Sequence, residues 1–129
     1  MKCNPVGWFE IYVQDMARAT AFYEKVFQIK LEKVCCADEA CCPDMDMVTF
    51  PMEKDACGAG GALVRKTGVH SGCNSTVVYF CCEDCAVEES RAEANGGCVE
   101  QTKMPIGEYG FISLVVDTEG NRIGLHSLK

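Results

Sequence analysis

Residues 8–15 have the sequence WFEIYVQD, and residues 76–84 have the sequence TVVYFCCED. The two segments share one pattern of residue types. Each stretch begins with a run rich in aromatic and β-branched residues, which predicts a β-strand. Each ends on an aspartate, Asp15 or Asp84, and aspartate is a favourable N-cap for a following helix. The two stretches therefore predict a duplicated strand–helix unit.

The elements that follow each stretch are also duplicated. Apolar residues recur at helical spacing from Met16 to Phe27, and a charged helix is predicted over residues 85–95. Further strands are predicted at residues 29–34, 45–50 and 61–64, and then at residues 98–101, 111–116 and 122–128. The turn-rich sequence DTEGN at residues 117–121 joins the last two strands. This repeat predicts an α+β fold of paired βαβββ modules, at about residues 6–65 and 75–128, in one domain spanning residues 1–129.

Composition and charge exclude several classes of function. The formal net charge is −7, and no cluster of Lys and Arg is available to bind the phosphates of nucleic acid. No apolar run is long enough to cross a membrane, and residues 1–5 lack the pattern of a signal peptide. The eleven cysteines are odd in number and include three adjacent pairs, which argues against a disulfide framework. We therefore expect a cytoplasmic protein with reduced thiols and no nucleic-acid or membrane partner.

Three segments resemble the vicinal oxygen chelate superfamily, which includes glyoxalase I, the bleomycin-resistance proteins and the extradiol dioxygenases. They are FEIYVQDM at residues 9–16, AFYEKVF at residues 21–27 and DTEGNRIGLH at residues 117–126. The resemblance covers nearly the whole chain and implies paired βαβββ modules that form a cupped mixed sheet. It also implies a homodimer, in some relatives with the pocket built across the interface.

The resemblance further implies a divalent metal held by four side chains on the inner faces of the sheets. Carried over to this chain, the four ligand positions fall at Trp8, within residues 61–64, near Val77 and at Gly124. None of these residues is His, Glu or Asp, which are the usual ligands. We therefore expect no metal at the usual positions and no other cofactor, although a displaced divalent-metal site stays open as an alternative.

Strand alternation predicts which side chains line the pocket. The first half contributes Trp8, Glu10 and Tyr12, and the second half contributes Tyr79, Ser113, Arg122 and His126. An aromatic lining with a few polar groups suits a small organic ligand. The leading hypothesis is therefore a metal-independent protein that binds or sequesters an aromatic or antibiotic-like compound. His70 is predicted to be a solvated residue of the linker.

Glu10 and His126 support an alternative hypothesis from the enzyme class. A carboxylate and an imidazole that face each other across a pocket could act as base and acid in a lyase or isomerase for an oxygenated small molecule. The same two groups could instead supply two ligands of a displaced metal site. A third interpretation is structural, in which Glu10 pairs with Arg122 or accepts a hydrogen bond from a tyrosine.

The cysteines support a further alternative, a thiol-based redox or soft-metal module. Cys82 and Cys85 straddle a strand end and a helix start, where the helix dipole favours a thiolate. The four cysteines of residues 35–42 could bind zinc, although adjacent pairs are not the usual spacing. The competing interpretation is that the thiols are reduced and serve as small hydrophobic side chains.

Overall fold

A computed structural model describes residues 4, 6–34, 44–72 and 74–129. The first module contains β1 (Trp8–Tyr12), α1 (Met16–Phe27), β2 (Glu32–Lys33), β3 (Met45–Thr49) and β4 (Gly60–Lys66). The second contains β5 (Val78–Cys81), α2 (Cys85–Ala94), β6 (Cys98–Pro105), a short 3-10 helix (Gly107–Tyr109), β7 (Phe111–Val116) and β8 (Arg122–Ser127). The predicted α+β fold of two βαβββ modules is confirmed.

The two sheets have the same strand order, which makes the repeat visible in the topology. The first sheet runs β1-β4-β3-β2 and the second runs β5-β8-β7-β6. In each sheet the strand before the helix pairs in parallel with the last strand of the module, and the other pairings are antiparallel. The register places Glu10 beside Ala62 and Tyr79 beside Gly124. One face of each sheet is covered by the helix of its module. We call the other face the open face.

Aspartate caps begin both helices, as the sequence predicts. The Asp15 side chain accepts a hydrogen bond from the amide of Arg18, and Asp84 accepts one from the amide of Ala86. Such a cap satisfies a backbone donor that has no partner within the helix. Neither described helix is long and apolar enough to cross a membrane.

Two strands differ in length from their predictions. The strand predicted at residues 29–34 contains only Glu32 and Lys33, because the backbone amide of Leu31 is bound to the Glu24 carboxylate of α1 instead of a neighbouring strand. The strand predicted at residues 98–101 continues to Pro105, because its pairing with β7 resumes after two irregularities in register. The loop predicted at residues 35–44 falls mostly on residues 35–43, which lie outside the described residues.

Aromatic side chains form the part of the core that joins the two modules. Phe80 of β5 stacks on Phe27 of α1 with ring centroids 4.5 Å apart. Phe80 also packs against Phe50, and Tyr23 lies between these rings with almost no exposed surface. Aromatic pairs of this kind add about 0.5–1.5 kcal/mol each beyond the area that they bury. Each module therefore completes its core with side chains from the other.

The loop at residues 117–121, which we call the inter-module hairpin, is a second connection between the modules. The Glu119 side chain is fully buried and accepts hydrogen bonds from the amides of Gln14 and Asp15, at 3.0 and 2.9 Å. The Arg18 guanidinium donates to both carboxylate oxygens, at 2.6 and 2.9 Å. The hairpin of the second module thus holds the start of α1 in the first.

Two further side chains of the hairpin reach the first module. The Tyr23 hydroxyl donates to Asp117 Oδ2 at 2.7 Å, and Asn121 Nδ2 donates to the Tyr12 carbonyl at 2.8 Å. The amide of Gly72, in the linker between the modules, donates to Asn121 Oδ1 at 2.8 Å. The hairpin motif, predicted only as a turn, therefore also positions the end of β1.

Candidate functional site

Three side chains of β1 lie together on the open face of the first sheet, and we call them the β1 triad. Trp8 Nε1 donates to Glu10 Oε2 at 3.2 Å, and the Tyr12 hydroxyl donates to Glu10 Oε1 at 3.1 Å. Ile11 and Val13 are buried on the opposite face, as strand alternation predicts. The sequence correctly predicts that these three residues share a face. The interpretation that Glu10 accepts from a tyrosine is also confirmed.

The triad lies beside buried apolar residues of β4, and its hydrogen bonds affect the pKa of Tyr12. Ala62 and Val64 of β4 lie beside Glu10 and Tyr12 in the register and have no exposed surface. The hydrogen bond to Glu10, followed by burial and the charge of Glu10, raises the pKa of Tyr12. Tyr12 therefore stays protonated at neutral pH and remains a donor. A carboxylate has about four acceptor sites, so Glu10 can accept further hydrogen bonds from a ligand.

A cavity of about 210 Å³ opens beside the triad, between β1, the linker and β8. We call it the β1–β8 cavity. Its apolar side is formed by Ile11, Val78 and Ile123, and its polar residues include Glu10, Tyr12, His70, Asn74, Thr76 and Arg122. His70 is exposed, as predicted, but it also lines this cavity, which the sequence alone did not indicate.

Arg122 lies in this cavity but does not pair with Glu10. Its Nε is 3.1 Å from Glu100 Oε1, yet this buried nitrogen has no hydrogen-bond partner of suitable geometry among the described residues. The interpretation that Glu10 pairs with Arg122 is therefore wrong. The cavity instead has a carboxylate and a guanidinium that are not bound to each other, since Glu10 accepts from Trp8 and Tyr12 and Arg122 is paired with Glu100. A guanidinium has five N–H donors, so Arg122 can bind a ligand while it stays paired with Glu100.

His126 and Tyr79 lie elsewhere, on the open face of the second sheet. They line a separate, shallow cavity of about 320 Å³ with Cys81, Ile106 and Ile112. His126 Nε2 is 2.7 Å from the Tyr109 carbonyl, so this nitrogen carries the proton. Because Glu10 and His126 line different cavities, the structure does not bring the predicted acid–base pair together.

Ser113 is not a pocket residue, and this prediction is wrong. Its side chain is fully buried, 2.8 Å from Glu89 Oε1 of α2 and 3.0 Å from the Gln101 carbonyl. It is paired with Leu125, which belongs to the core. The phase of β7 therefore turns Ser113 toward the helix, where Glu89 satisfies a hydroxyl that would otherwise be costly to bury.

The metal of the superfamily does not fit the residues at its four positions. The Trp8 indole is only a donor, and its N–H already binds Glu10. Gly124 is covered by the Tyr79 ring, which a Cβ at this position would overlap. In the ranges that the structure describes, no group of three or more His, Cys, Asp or Glu residues could hold a metal ion.

The surroundings of Cys82 oppose the thiolate that its position at a helix start favours. Burial raises the pKa of the Cys82 thiol, and the neighbouring Glu88 carboxylate raises it further. Cys85 is fully buried in the hydrophobic core, so it serves there as a small apolar side chain. The cysteines of residues 35–42 lie outside the described residues.

Solved structures with the same fold include several glyoxalase-related proteins. Glyoxalase I from Zea mays is 19% identical with a TM-score of 0.70, over 96% of this chain and 46% of that chain. The hypothetical protein SA1046 from S. aureus is 14% identical with a TM-score of 0.70, over 98% of this chain and 95% of that one. At these identities the likeness shows the fold alone, and the chain spans about half the length of the maize enzyme.

Comparison with protein families, unlike the structural likeness, shows the family of the chain. No curated protein sequence matches the chain. The profile of the Glyoxalase/Bleomycin resistance protein/Dioxygenase superfamily matches residues 6–125. This range includes the first module, the second module up to Leu125 in β8, the β1 triad and the inter-module hairpin. The chain therefore belongs to the Glyoxalase/Bleomycin resistance protein/Dioxygenase superfamily.

Proposed function

We propose that the chain is a metal-independent binding protein that takes a small organic molecule in the β1–β8 cavity. The observation that carries this proposal is the β1 triad, in which two donors hold Glu10 as an acceptor beside the cavity. Binding sites typically combine apolar walls with a few placed polar groups, and this cavity has that composition. Superfamily membership supports a ligand on the open faces of the sheets.

The groups around the cavity define the class of ligand. Glu10 would accept a hydrogen bond from a hydroxyl or amino group, and Arg122 would bind a carboxylate or carbonyl oxygen. Trp8 does not line the cavity, but it is 43% exposed and bound to Glu10, so it would contact a ring that extends from the cavity along the open face. The cavity volume of about 210 Å³ is smaller than the volume of cavities that hold drug-sized ligands. We therefore expect the cavity to bind a single substituted ring, or one ring of a larger antibiotic-like compound.

Changing Glu10 to Gln tests this proposal. We expect 4-hydroxybenzoate to bind more tightly than benzoate, since only the former offers a hydroxyl donor to Glu10. The Glu10→Gln variant should lose about tenfold in affinity for 4-hydroxybenzoate and little for benzoate, as a hydrogen bond to a charged group is worth about 1.5–3 kcal/mol. Calorimetry measures both affinities, and the fluorescence of Trp8, the single tryptophan, reports occupancy in the unaltered protein.

The control for this experiment is Glu108→Gln, which removes an exposed carboxylate that does not line the cavity. This variant should bind both probes as the unaltered protein does. The proposal fails if neither probe binds, or if Glu10→Gln leaves the preference for 4-hydroxybenzoate unchanged. The lyase or isomerase hypothesis has no comparable support, because Glu10 and His126 line different cavities.

We also propose that the chain forms a homodimer through its open faces. Trp8, Tyr79 and Met104 lie on these faces with 43%, 47% and 37% of their surface exposed. Large apolar side chains grouped on one face are typical of interaction surfaces. Sedimentation equilibrium should give twice the chain mass of 14.1 kDa, and Tyr79→Glu should shift the distribution toward the monomer. A mass of one chain at all concentrations would contradict the dimer.

The cytoplasmic location remains part of the proposal. It is supported by the cysteines that the structure describes, Cys57, Cys81, Cys82, Cys85 and Cys98, all of which are free thiols. Free thiols are typical of proteins kept in a reducing compartment.

A further inference from the structure

The two modules are joined asymmetrically at their helix starts. In one junction the inter-module hairpin, which connects β7 and β8, closes on the start of α1 through Glu119. The corresponding loop of the first module, residues 51–59 between β3 and β4, faces the start of α2. Within the described ranges no hydrogen bond links this loop to α2, and a cavity of about 500 Å³ lies between them. We call this cavity the module cleft.

The module cleft has aromatic walls. Phe9, Phe27, Phe50 and Phe80 line it and pack against one another. The ring centroids are 5.5 Å apart for Phe9 and Phe50 and 4.5 Å apart for Phe27 and Phe80. The electron-rich faces of such rings attract a cation within about 6 Å, most strongly where water is excluded.

The charge of the cleft is negative. Glu88, in the first turn of α2, has 13% of its side chain exposed and lines the cleft, as does the exposed Glu83. Glu88 Oε1 is 3.4 Å from Arg91, and the Cys82 thiol lies next to the Glu88 carboxylate, but Glu88 Oε2 is buried and no described residue donates to it with suitable geometry. A buried acceptor without a partner costs about 1–3 kcal/mol, so it favours a ligand that brings a donor. None of the described residues that line the cleft is Lys or Arg.

We propose that the module cleft binds a small organic ammonium ion. The charged nitrogen donates a hydrogen bond to Glu88 Oε2, and the apolar body of the ligand contacts the four phenylalanine rings. The volume lies within the range of about 300–1,000 Å³ that is usual for small-molecule sites. A metal ion does not fit, because the described residues provide no group of three ligands here. This site is separate from the β1–β8 cavity and does not depend on the function proposed for it.

Benzylammonium and benzyl alcohol form a matched pair of probes for this proposal, because they share a ring and differ in charge. We expect calorimetry to show that benzylammonium binds at least about tenfold more tightly than benzyl alcohol, which corresponds to about 1.4 kcal/mol. Amide resonances in NMR spectra should shift at Phe80, Cys82 and Glu88, and not around Glu10. Glu88→Gln keeps the shape of the side chain and should reduce the affinity for benzylammonium to that for benzyl alcohol.

The matched control is Glu93→Gln, since Glu93 is an exposed carboxylate of α2 that does not line the cleft. This variant should bind benzylammonium normally. The proposal is overturned if the two probes bind equally, if neither binds, if the shifted resonances lie around Glu10, or if a folded Glu88→Gln variant keeps the preference. If that variant does not fold, the comparison of the two probes in the unaltered protein decides the question.

Discussion

Replacing Glu119 with Gln should lower the free energy of unfolding by about 3 kcal/mol, because it removes a buried charge that accepts from the half-exposed Arg18 and from two backbone amides. The Glu119 carboxylate is fully buried and accepts from Arg18 and from the amides of Gln14 and Asp15. A glutamine would keep one acceptor oxygen but lose the charge that pairs with the guanidinium, and its NH₂ group would face other donors. Urea unfolding at neutral pH measures the effect.

The pH dependence of this effect follows from the pKa of Glu119. Burial alone would raise that pKa, but the hydrogen bonds from Arg18, Asp15, Thr118 and Gln14 lower it from 4.5 to about 2. Because the folded pKa lies below the unfolded one, the stabilisation is complete above about pH 4.5 and is lost as the pH falls toward 2. Arg18 is half exposed, so solvent screens the pair, and we expect a loss of about 2 kcal/mol across this window.

The control for this experiment is Glu108→Gln, which changes an exposed carboxylate and should alter stability by less than about 0.5 kcal/mol at any pH. The difference between unaltered protein and Glu119→Gln should shrink on acidification. A difference that stays constant from neutral pH to about pH 2 would mean that charge is not the source of the stabilisation.

The inter-module hairpin also connects stability with binding. Asn121 donates to the carbonyl of Tyr12, and both residues line the β1–β8 cavity. The hairpin therefore holds one end of the strand that carries the triad. Polar groups kept in place before a ligand arrives reduce the ordering cost of binding. The second module thus contributes to the proposed site through the hairpin as well as through Arg122.

The fold could be predicted from the sequence because its evidence is local. The aspartate caps, the helical spacing after Asp15 and the repetition of strands are each contained in a few residues. The grouping of Trp8, Glu10 and Tyr12 follows from the period of a single strand. These features depend on backbone geometry within one element, which explains their agreement with the structure.

The site could be predicted only in part, because its remaining features depend on contacts between distant residues. Gln14 and Glu119 are 105 positions apart, and nothing in the DTEGN sequence indicates that its glutamate binds α1. The sequence predicts the wrong face for Ser113, because a lone serine in an apolar strand does not reveal a partner such as Glu89 on a helix. The pairing of Arg122 with Glu100 likewise depends on the strand order, which places β7 between β8 and β6.

Treating the native protein with iodoacetamide should modify Cys98 about a thousandfold faster than Cys85. Cys98 is exposed, whereas Cys85 has no exposed surface and lies in the core. A buried thiol reacts only when the structure opens, and an opening free energy of about 4 kcal/mol leaves one molecule in about a thousand open. Cys82 should also react slowly, because its raised pKa leaves little thiolate at neutral pH. Mass spectrometry of peptides after timed quenching measures each rate.

The same experiment in denaturant is the control, since unfolding should bring all three rates together. It also decides the thiol hypothesis, because a redox or soft-metal pair needs accessible thiolates. Rapid modification of Cys82 in the native protein, at a rate equal to that of Cys98, would contradict the raised pKa of its thiol and support the thiol hypothesis. Slow modification of both Cys82 and Cys85 would leave Cys85 with a packing role, and the search for ligands would then concentrate on the β1–β8 cavity and the module cleft.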